Sequence, residues 1–145
     1  MKQEYIGQKI IHLSRKIDRV LGKNFSQYGL SIIQGRIISF VYRESPKGDI
    51  FQKDIEERFN IRGSSVTSVL NLMESRGILK RISAEEDGRC KKILLMDKGN
   101  ELYDAVHKEL IDMENLLSSG LTKEEESILM ELLDKLAKTV DDSFS

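Results

Sequence analysis

The sequence predicts a mainly α-helical protein with a small antiparallel β wing. Apolar residues recur at helical spacing through most of the 145-residue chain, which indicates amphipathic helices. Residues 78–96 break that period, because two short strand-like segments flank Asp87-Gly88, a dipeptide that favours a hairpin turn. Two short helices precede this hairpin and are joined by a turn of about four residues. This order predicts a winged helix-turn-helix with long N- and C-terminal dimerisation helices.

The individual elements follow from periodicity and from capping residues. The predicted elements are, in order, helices over 4–26 and 32–43, a short strand over 49–51, helices over 53–59 and 64–75, strands over 78–83 and 91–96, and helices over 98–118 and 123–140. Ser31 with Gln34, and Thr122 with Glu125, have the spacing of capping boxes. Asp97 is placed to cap the fifth helix, and Gly77 is placed to end the fourth.

The chain is expected to be one protomer, residues 1–145, with two regions. Residues 31–96 would form the winged helix-turn-helix lobe, and residues 1–28 and 97–145 a helical dimerisation region. Each terminal helix has its own apolar stripe, and a chain of this size cannot easily bury both. We therefore expect a homodimer in which terminal helices of two protomers interdigitate. The alternative is that the stripes pack only within the protomer.

Charge is distributed unevenly along the sequence. The formal net charge is −1 overall, but it is +5 over residues 1–51, +2 over 52–96 and −8 over 97–145. Positive charge gathered on one surface can bind a polyanion even when the whole protein is nearly neutral. The sequence has no apolar run of about 20 residues and no signal-peptide core at its start. We therefore expect a cytoplasmic protein without a membrane segment.

Few residues are arranged for catalysis or metal binding. The single Cys excludes an internal disulfide and a Cys-rich zinc site. His12 and His107 lack partners at ligand spacing. We find no Ser–His–Asp order, phosphate-binding loop or Gly-rich dinucleotide turn. The sequence therefore predicts neither an enzyme nor a metal or cofactor site.

The segment 62–77 carries the most informative pattern. One helical stripe is apolar and consists of Val66, Val69, Leu70 and Met73. The opposite face has only short polar side chains: Ser64, Thr67, Ser68, Asn71 and Ser75. Such residues are poor helix formers, because their side chains compete for backbone hydrogen bonds. Short hydroxyl and amide groups allow a helix to approach phosphates and base edges in a major groove, so the pattern indicates a DNA-recognition helix.

Several motifs together resemble the MarR family, the multiple-antibiotic-resistance regulators, over nearly the whole chain. The motifs are Gly29-Leu30-Ser31-x-x-Gln34, Gln52-Lys53-Asp54-Ile55-Glu56, Ser64-Ser65-Val66-Thr67, Met73-Glu74-x-x-Gly77, Asp87-Gly88-Arg89 and Asp97-Lys98-Gly99. The resemblance implies a dimeric regulator of a pseudo-palindromic operator. Such regulators often act as repressors that are released by a small phenolic or lipophilic effector or by thiol oxidation.

The resemblance also implies residue roles. The helix beginning at Ser64 would enter the major groove, and Arg89 would enter the minor groove with Asp87 orienting its guanidinium. The residues expected to contact DNA are Arg62, Ser64, Ser65, Thr67, Ser68, Asn71, Asp87, Arg89 and Lys91. The candidates for an effector pocket, where the first, second and fifth helices meet the lobe, are His12, Arg15, Arg36, Phe40 and Tyr103. The alternative for these five is interface packing and surface charge.

Two departures from the family pattern leave alternatives open. The family often has Ser or Asp at the position of Arg62 and Pro at that of Gly63. The sequence therefore does not define which residue caps the recognition helix, and the alternative role for Arg62 is contact with a phosphate. The peroxide-sensing branch has a reactive Cys near the start of the first helix, where this chain has none. A redox sensor would therefore depend on Cys90 alone and is disfavoured. A further alternative is a winged-helix protein-interaction module that does not bind DNA.

Overall fold

The computed structural model of the chain describes residues 3–83 and 91–144. Its elements are α1 (Ile6–Ser26), α2 (Ile32–Glu44), one 3₁₀ turn (Ser45–Lys47), α3 (Gln52–Phe59), α4 (Gly63–Ser75), β1 (Leu79–Ser83), β2 (Lys91–Leu95), α5 (Asp97–Ser119) and α6 (Lys123–Asp142). The predicted class, mainly α with a small antiparallel hairpin, is confirmed.

Reciprocal capping boxes begin two of the helices, as predicted. At α2 the Ser31 N–H donates to Gln34 Oε1 over 2.9 Å, and the Gln34 N–H donates to Ser31 Oγ over 3.3 Å. At α6 the N–H of Thr122 and the N–H of Glu125 make the equivalent pair of bonds, at 2.9 and 3.1 Å. Each box satisfies two N–H groups that a helix start otherwise leaves unpaired.

The start of α5 differs from the prediction. The helix begins at Asp97 itself, and the Met96 carbonyl accepts the first backbone hydrogen bond, from the Asn100 N–H over 3.0 Å. The prediction that Asp97 caps this helix is therefore wrong by one residue. Asp97 instead lies in the first helical turn, where its negative charge interacts favourably with the helix dipole.

The hairpin continues directly from α4. α4 ends at Ser75 with Arg76 in the capping position, and Gly77 then adopts a left-handed conformation with φ of 74°, which favours glycine. β1 pairs antiparallel with β2, with Leu79 opposite Leu95. The short strand predicted over 49–51 is reduced to a single bridge between Phe51 and β2. Residues 84–90, which include Asp87, Arg89 and Cys90, lie outside the described residues.

The core lies where α1 to α5 and the hairpin meet. Its largest fully buried side chains are Phe25, Ile37, Ile38, Ile55, Leu70, Met73, Ile78, Leu79 and Ile93. The exposed Arg76 guanidinium donates to the Gly29 carbonyl over 2.8 Å, and Lys98 donates to the Arg76 carbonyl over 3.1 Å. These two bonds connect the end of α4 with the α1–α2 connection and with α5.

The chain divides into two compact units, Met1–Leu110 and Ile111–Ser145. The first unit holds α1 to α4, the hairpin and the beginning of α5. The second holds the end of α5 and α6, where the Ser118 hydroxyl donates to Glu126. Over residues 3–83 and 91–144, no helix combines the length and hydrophobicity needed to cross a membrane.

Candidate nucleic-acid interface

α4 has one buried face and one exposed polar face, as the sequence pattern predicts. Val66, Leu70 and Met73 are at most 1% exposed and pack into the core. The exposed residues are Ser64, Ser65, Ser68, Asn71, Leu72 and Ser75. The helix is thus fixed from one side by its apolar stripe and presents hydroxyl and amide groups on the other.

α4 begins at Gly63, one residue before the predicted start, and Arg62 occupies the capping position. The Arg62 side chain makes no capping bond, but its carbonyl accepts from the N–H groups of Ser65 and Val66, each over 3.1 Å. The guanidinium is therefore free of any capping role, and Arg62 lies exposed beside the positive end of the helix. A cation at this end, together with free backbone N–H groups, suits a phosphate.

Thr67 lies deeper than its neighbours on the polar face. It is half-buried, its hydroxyl donates to the Gly63 carbonyl over 2.9 Å, and it accepts from Gln52 Nε2 over 2.8 Å. Gln52 Nε2 also approaches the Gly63 carbonyl at 3.3 Å. The hydroxyl hydrogen is therefore committed inside the protein, and Gln52 holds the start of α4 against the start of α3.

A charged cluster joins the middle of α4 to β1. The Arg81 guanidinium donates to Asn71 Oδ1 and, over 3.2 Å, to Glu74 Oε1. The Arg81 backbone N–H donates to Glu74 Oε2 over 2.9 Å. That backbone bond, followed by the guanidinium, lowers the pKa of the Glu74 carboxyl below its ordinary value. The cluster therefore connects α4 directly to β1.

The described part of the wing carries three lysines in different surroundings. Lys80 and Lys91 are exposed on β1 and β2. Lys92 is half-buried and lies 3.7 Å from Asp49, so its charge is partly compensated. The first two therefore present their charges to solvent on the hairpin beside α4.

The predicted effector residues have different surroundings. His12 and Arg15 are exposed on α1, and His12 lines a shallow groove formed by the N-terminal part of that helix. Arg36 on α2 forms an ion pair with Asp18 on α1, with 3.0 Å between Nη2 and Oδ1. These residues share the α1 and α2 side of the first unit.

The two aromatic effector candidates lie in separate clusters. Phe40 packs edge-on against Phe59, with 5.9 Å between ring centroids. Tyr103, which is 8% exposed, stacks on Tyr42 at 3.7 Å and also against His107 at 5.3 Å. The Tyr103 hydroxyl lies 3.3 Å from His107 Nδ1.

Sequence reasoning did not predict the roles of three residues on or beside the polar face of α4. Gln52 and Arg81 act through contacts across 15 and 10 residues of sequence, which periodicity within one helix does not reveal. Leu72 is 52% exposed beside Ser68 and Asn71. Its position four residues after Ser68 places it on the polar face, and this spacing was the available signal.

Comparison with known proteins agrees with this architecture. Residues 28–89 match the MarR family profile. The transcriptional regulator PecS of Dickeya dadantii (strain 3937) is 33% identical over 126 residues, which cover 87% of this chain and 76% of PecS. YdgJ of Bacillus subtilis (strain 168), named as an uncharacterised HTH-type regulator, is 24% identical over 92% of this chain and 80% of its own length.

Solved structures show the same fold. S. aureus MepR in its complex with DNA superposes with a TM-score of 0.88 at 21% identity, covering 95% of this chain and 99% of that one. MarR from Oenococcus oeni PSU-1 superposes with a TM-score of 0.78 at 26% identity, covering 92% and 99%. With the exposed polar helix and the adjoining wing, these similarities establish that the chain belongs to the MarR family of DNA-binding transcription regulators.

Proposed function

We propose that this protein is a ligand-responsive repressor that binds a pseudo-palindromic operator as a homodimer. The observation that carries the proposal is the exposed polar face of α4, which Gln52 holds through Thr67 and Arg81 holds through Asn71. A recognition helix must keep its base-reading groups in register with the groove, and these two contacts hold it to α3 and to β1. Like its relatives, which are named as transcriptional regulators, it would have no catalytic role.

The DNA contacts divide into two kinds. Ser64, Ser68 and Asn71 lie exposed on α4 and would read base edges in the major groove. Ser65, Thr67, Arg62 and Lys91 would position the helix, the two cations by contacting phosphates. In the hairpin, Arg89 would enter the minor groove and Asp87 would orient it, as the family resemblance implies.

The homodimer is supported by apolar residues that the protomer leaves uncovered. No residue of α6 is buried. Six of its large apolar side chains are 41–59% exposed: Ile128, Leu129, Met130, Leu132, Leu133 and Val140. Ile6, Ile11 and Leu13 of α1 are more than 50% exposed. Apolar stripes of this length on an otherwise charged chain favour a protein–protein interface, and a two-fold axis would place the two recognition helices about one helical turn of DNA apart.

The effector remains a proposal based on the family. Tyr42 and Tyr103 provide a stacked aromatic pair, and α2 also carries the Arg36 cation, which is paired with Asp18. Such a combination suits a small phenolic or lipophilic anion. The candidate residues are His12, Arg15, Arg36, Phe40 and Tyr103.

The experiment that tests the function is operator binding by defined variants across a salt series. Asn71→Ala should weaken binding to the selected operator by roughly 1–3 kcal/mol and leave random-sequence DNA nearly unchanged. Arg89→Ala should weaken both and reduce the salt slope by about one unit. Lys47→Ala, which removes an exposed cation from the turn after α2, is the charge-matched control. Equal binding of operator and random DNA by the wild type would contradict the proposal and favour the protein-interaction alternative.

A further inference from the structure

We propose that Arg81 is a positioning residue that sets the hydrogen-bonding polarity of Asn71, so that α4 presents an amide donor, and no amide acceptor, to the base it faces. The proposal rests on the proposed function, because it assumes that α4 reads base edges. It goes further by assigning the class of base that Asn71 recognises.

Glu74 fixes the position of the Arg81 guanidinium independently of Asn71. Glu74 accepts from the Arg81 backbone N–H over 2.9 Å and from its Nη2 over 3.2 Å. The Arg81 side chain is only 18% exposed. The Glu74 carboxylate of α4 therefore binds both the backbone N–H and the guanidinium of Arg81. These two bonds fix the position of the guanidinium relative to α4.

The same Nη2 donates to Asn71 Oδ1. A rotation of the amide by half a turn would place the Asn71 NH₂ group against the guanidinium, donor against donor. A charge-assisted bond would be lost and a repulsion gained. The carbonyl oxygen therefore faces Arg81, and the NH₂ group faces away from it. Among residues 3–83 and 91–144, none accepts a hydrogen bond from Asn71 Nδ2.

The neighbouring hydroxyls have no such constraint. Ser68 Oγ and Ser75 Oγ donate to carbonyls of their own helix, Ser64 over 3.2 Å and Leu72 over 2.7 Å. A hydroxyl rotates at little cost and can donate or accept according to its partner. Among the exposed residues of this face, Asn71 is thus a group whose hydrogen-bonding polarity a contact from another element, β1, determines.

The consequence for recognition follows from the major-groove pattern. Bidentate recognition of adenine requires an acceptor for N6 and a donor for N7, so it needs both ends of an Asn amide. Guanine presents two acceptors, N7 and O6, and we infer that the two hydrogens of the free NH₂ group donate to both. With its carbonyl occupied by Arg81, Asn71 should therefore favour guanine over adenine.

The test begins with selection of binding sites from random-sequence duplexes by the full-length wild type and by Asn71→Ala. The position at which only the wild type shows a preference is the one that Asn71 reads, and we expect guanine there. Replacing that guanine by 7-deazaguanine removes N7 and should lower wild-type affinity roughly tenfold. Inosine, which keeps N7 and O6 and changes only the minor groove, is the matched control and should bind as guanine does.

The protein side of the test separates orientation from charge. Arg81→Met releases the Asn71 carbonyl and should lower the guanine-to-adenine affinity ratio roughly tenfold. Lys80→Met removes a cation from the adjacent, exposed position of β1 and should lower overall affinity with the ratio unchanged. If Arg81→Met does not fold, the 7-deazaguanine comparison still tests whether Asn71 reads guanine, because it uses the wild type alone.

Each outcome has a distinct meaning. Selection of adenine at the Asn71 position, indifference to 7-deazaguanine, or an unchanged ratio in Arg81→Met would overturn this inference and leave the proposed function intact. Identical selected sites for the wild type and Asn71→Ala would show that Asn71 reads no base, which also overturns it. Failure of the wild type to enrich any sequence would refute the proposed function itself.

Discussion

Gly99 lies at the point where the wing joins α5, and replacing it with alanine should strain that junction. A Cβ at this position would lie 2.4 Å from the Ile78 carbonyl oxygen and 3.0 Å from Leu95 Cδ2. Ordinary contact begins at 3.4 Å, so the carbonyl would have to move by about 1 Å. The same carbonyl accepts from the Met96 N–H over 2.9 Å, and the displacement would weaken that bond.

The magnitude can be assembled from these terms. Overpacking against a backbone atom costs about 1–3 kcal/mol, and the weakened hydrogen bond adds up to about 1 kcal/mol. Alanine in place of glycine within a helix returns at most about 1 kcal/mol. The net expectation for Gly99→Ala is a loss of about 1–3 kcal/mol in the free energy of unfolding. Because Ile78 leads into β1, operator affinity should also fall.

Urea unfolding at one fixed protein concentration measures this effect, since the stability of the proposed dimer would depend on concentration. The matched control is Gly7→Ala in α1, where an added Cβ meets nothing within 4 Å of its own protomer. This control should be neutral or stabilise by roughly 0.5 kcal/mol. A Gly99→Ala protein as stable as the Gly7→Ala protein would refute the steric reasoning.

Three further perturbations test other parts of the molecule. Leu132→Asp should convert the proposed dimer to monomer in sedimentation and abolish operator binding, because an unpaired charge in an apolar interface costs several kcal/mol. Lys135→Asp is the control, and a dimeric Leu132→Asp protein would place the interface elsewhere. Gln52→Ala should reduce operator affinity more than random-DNA affinity, since Thr67 loses its partner on α3; an unchanged operator preference would show that the α3–α4 contact is only structural. Cys90→Ser should leave operator affinity and its response to peroxide unchanged, and peroxide-driven release that disappears in this variant would restore the redox-sensor alternative.

The local parts of the fold were predictable because their causes are local. Ser31 and Thr122 begin helices through bonds to residues three positions away, and Gly77 ends α4 through its own backbone conformation. The predicted start of α5 was wrong by one residue, because an Asp is favourable both as a capping residue and in the first helical turn. Met96 takes the capping position there because its carbonyl accepts the first helical bond.

The parts that were not predictable depend on which elements meet. The position of Thr67 in the helical period places it on the polar face of α4. Its hydroxyl is nevertheless hydrogen-bonded to Gln52, because the start of α3 contacts α4 at this residue. The effector candidates lie on three helices whose relative rotation the sequence does not define. As a result Phe40 packs with Phe59, whereas Tyr103 stacks on Tyr42.

The Glu74–Arg81 contact gives the protein a defined response to acid. Because the pKa of Glu74 is lowered in the folded protein, its contribution to stability is fully present above the unfolded value of about 4.3 and is lost as pH falls through the lower, folded value. The Glu74 side chain is 39% exposed, so solvent screening limits the contribution to under about 1 kcal/mol. Glu74→Gln should therefore lower the free energy of unfolding slightly at pH 7 and reduce its decline between neutral pH and pH 3. Glu57→Gln, which changes a carboxylate only 3.9 Å from Lys53 at the surface, is the control. If the free energy of unfolding of both variants declines with pH as steeply as that of the wild type, the Glu74–Arg81 contact between α4 and the wing does not depend on the Glu74 charge.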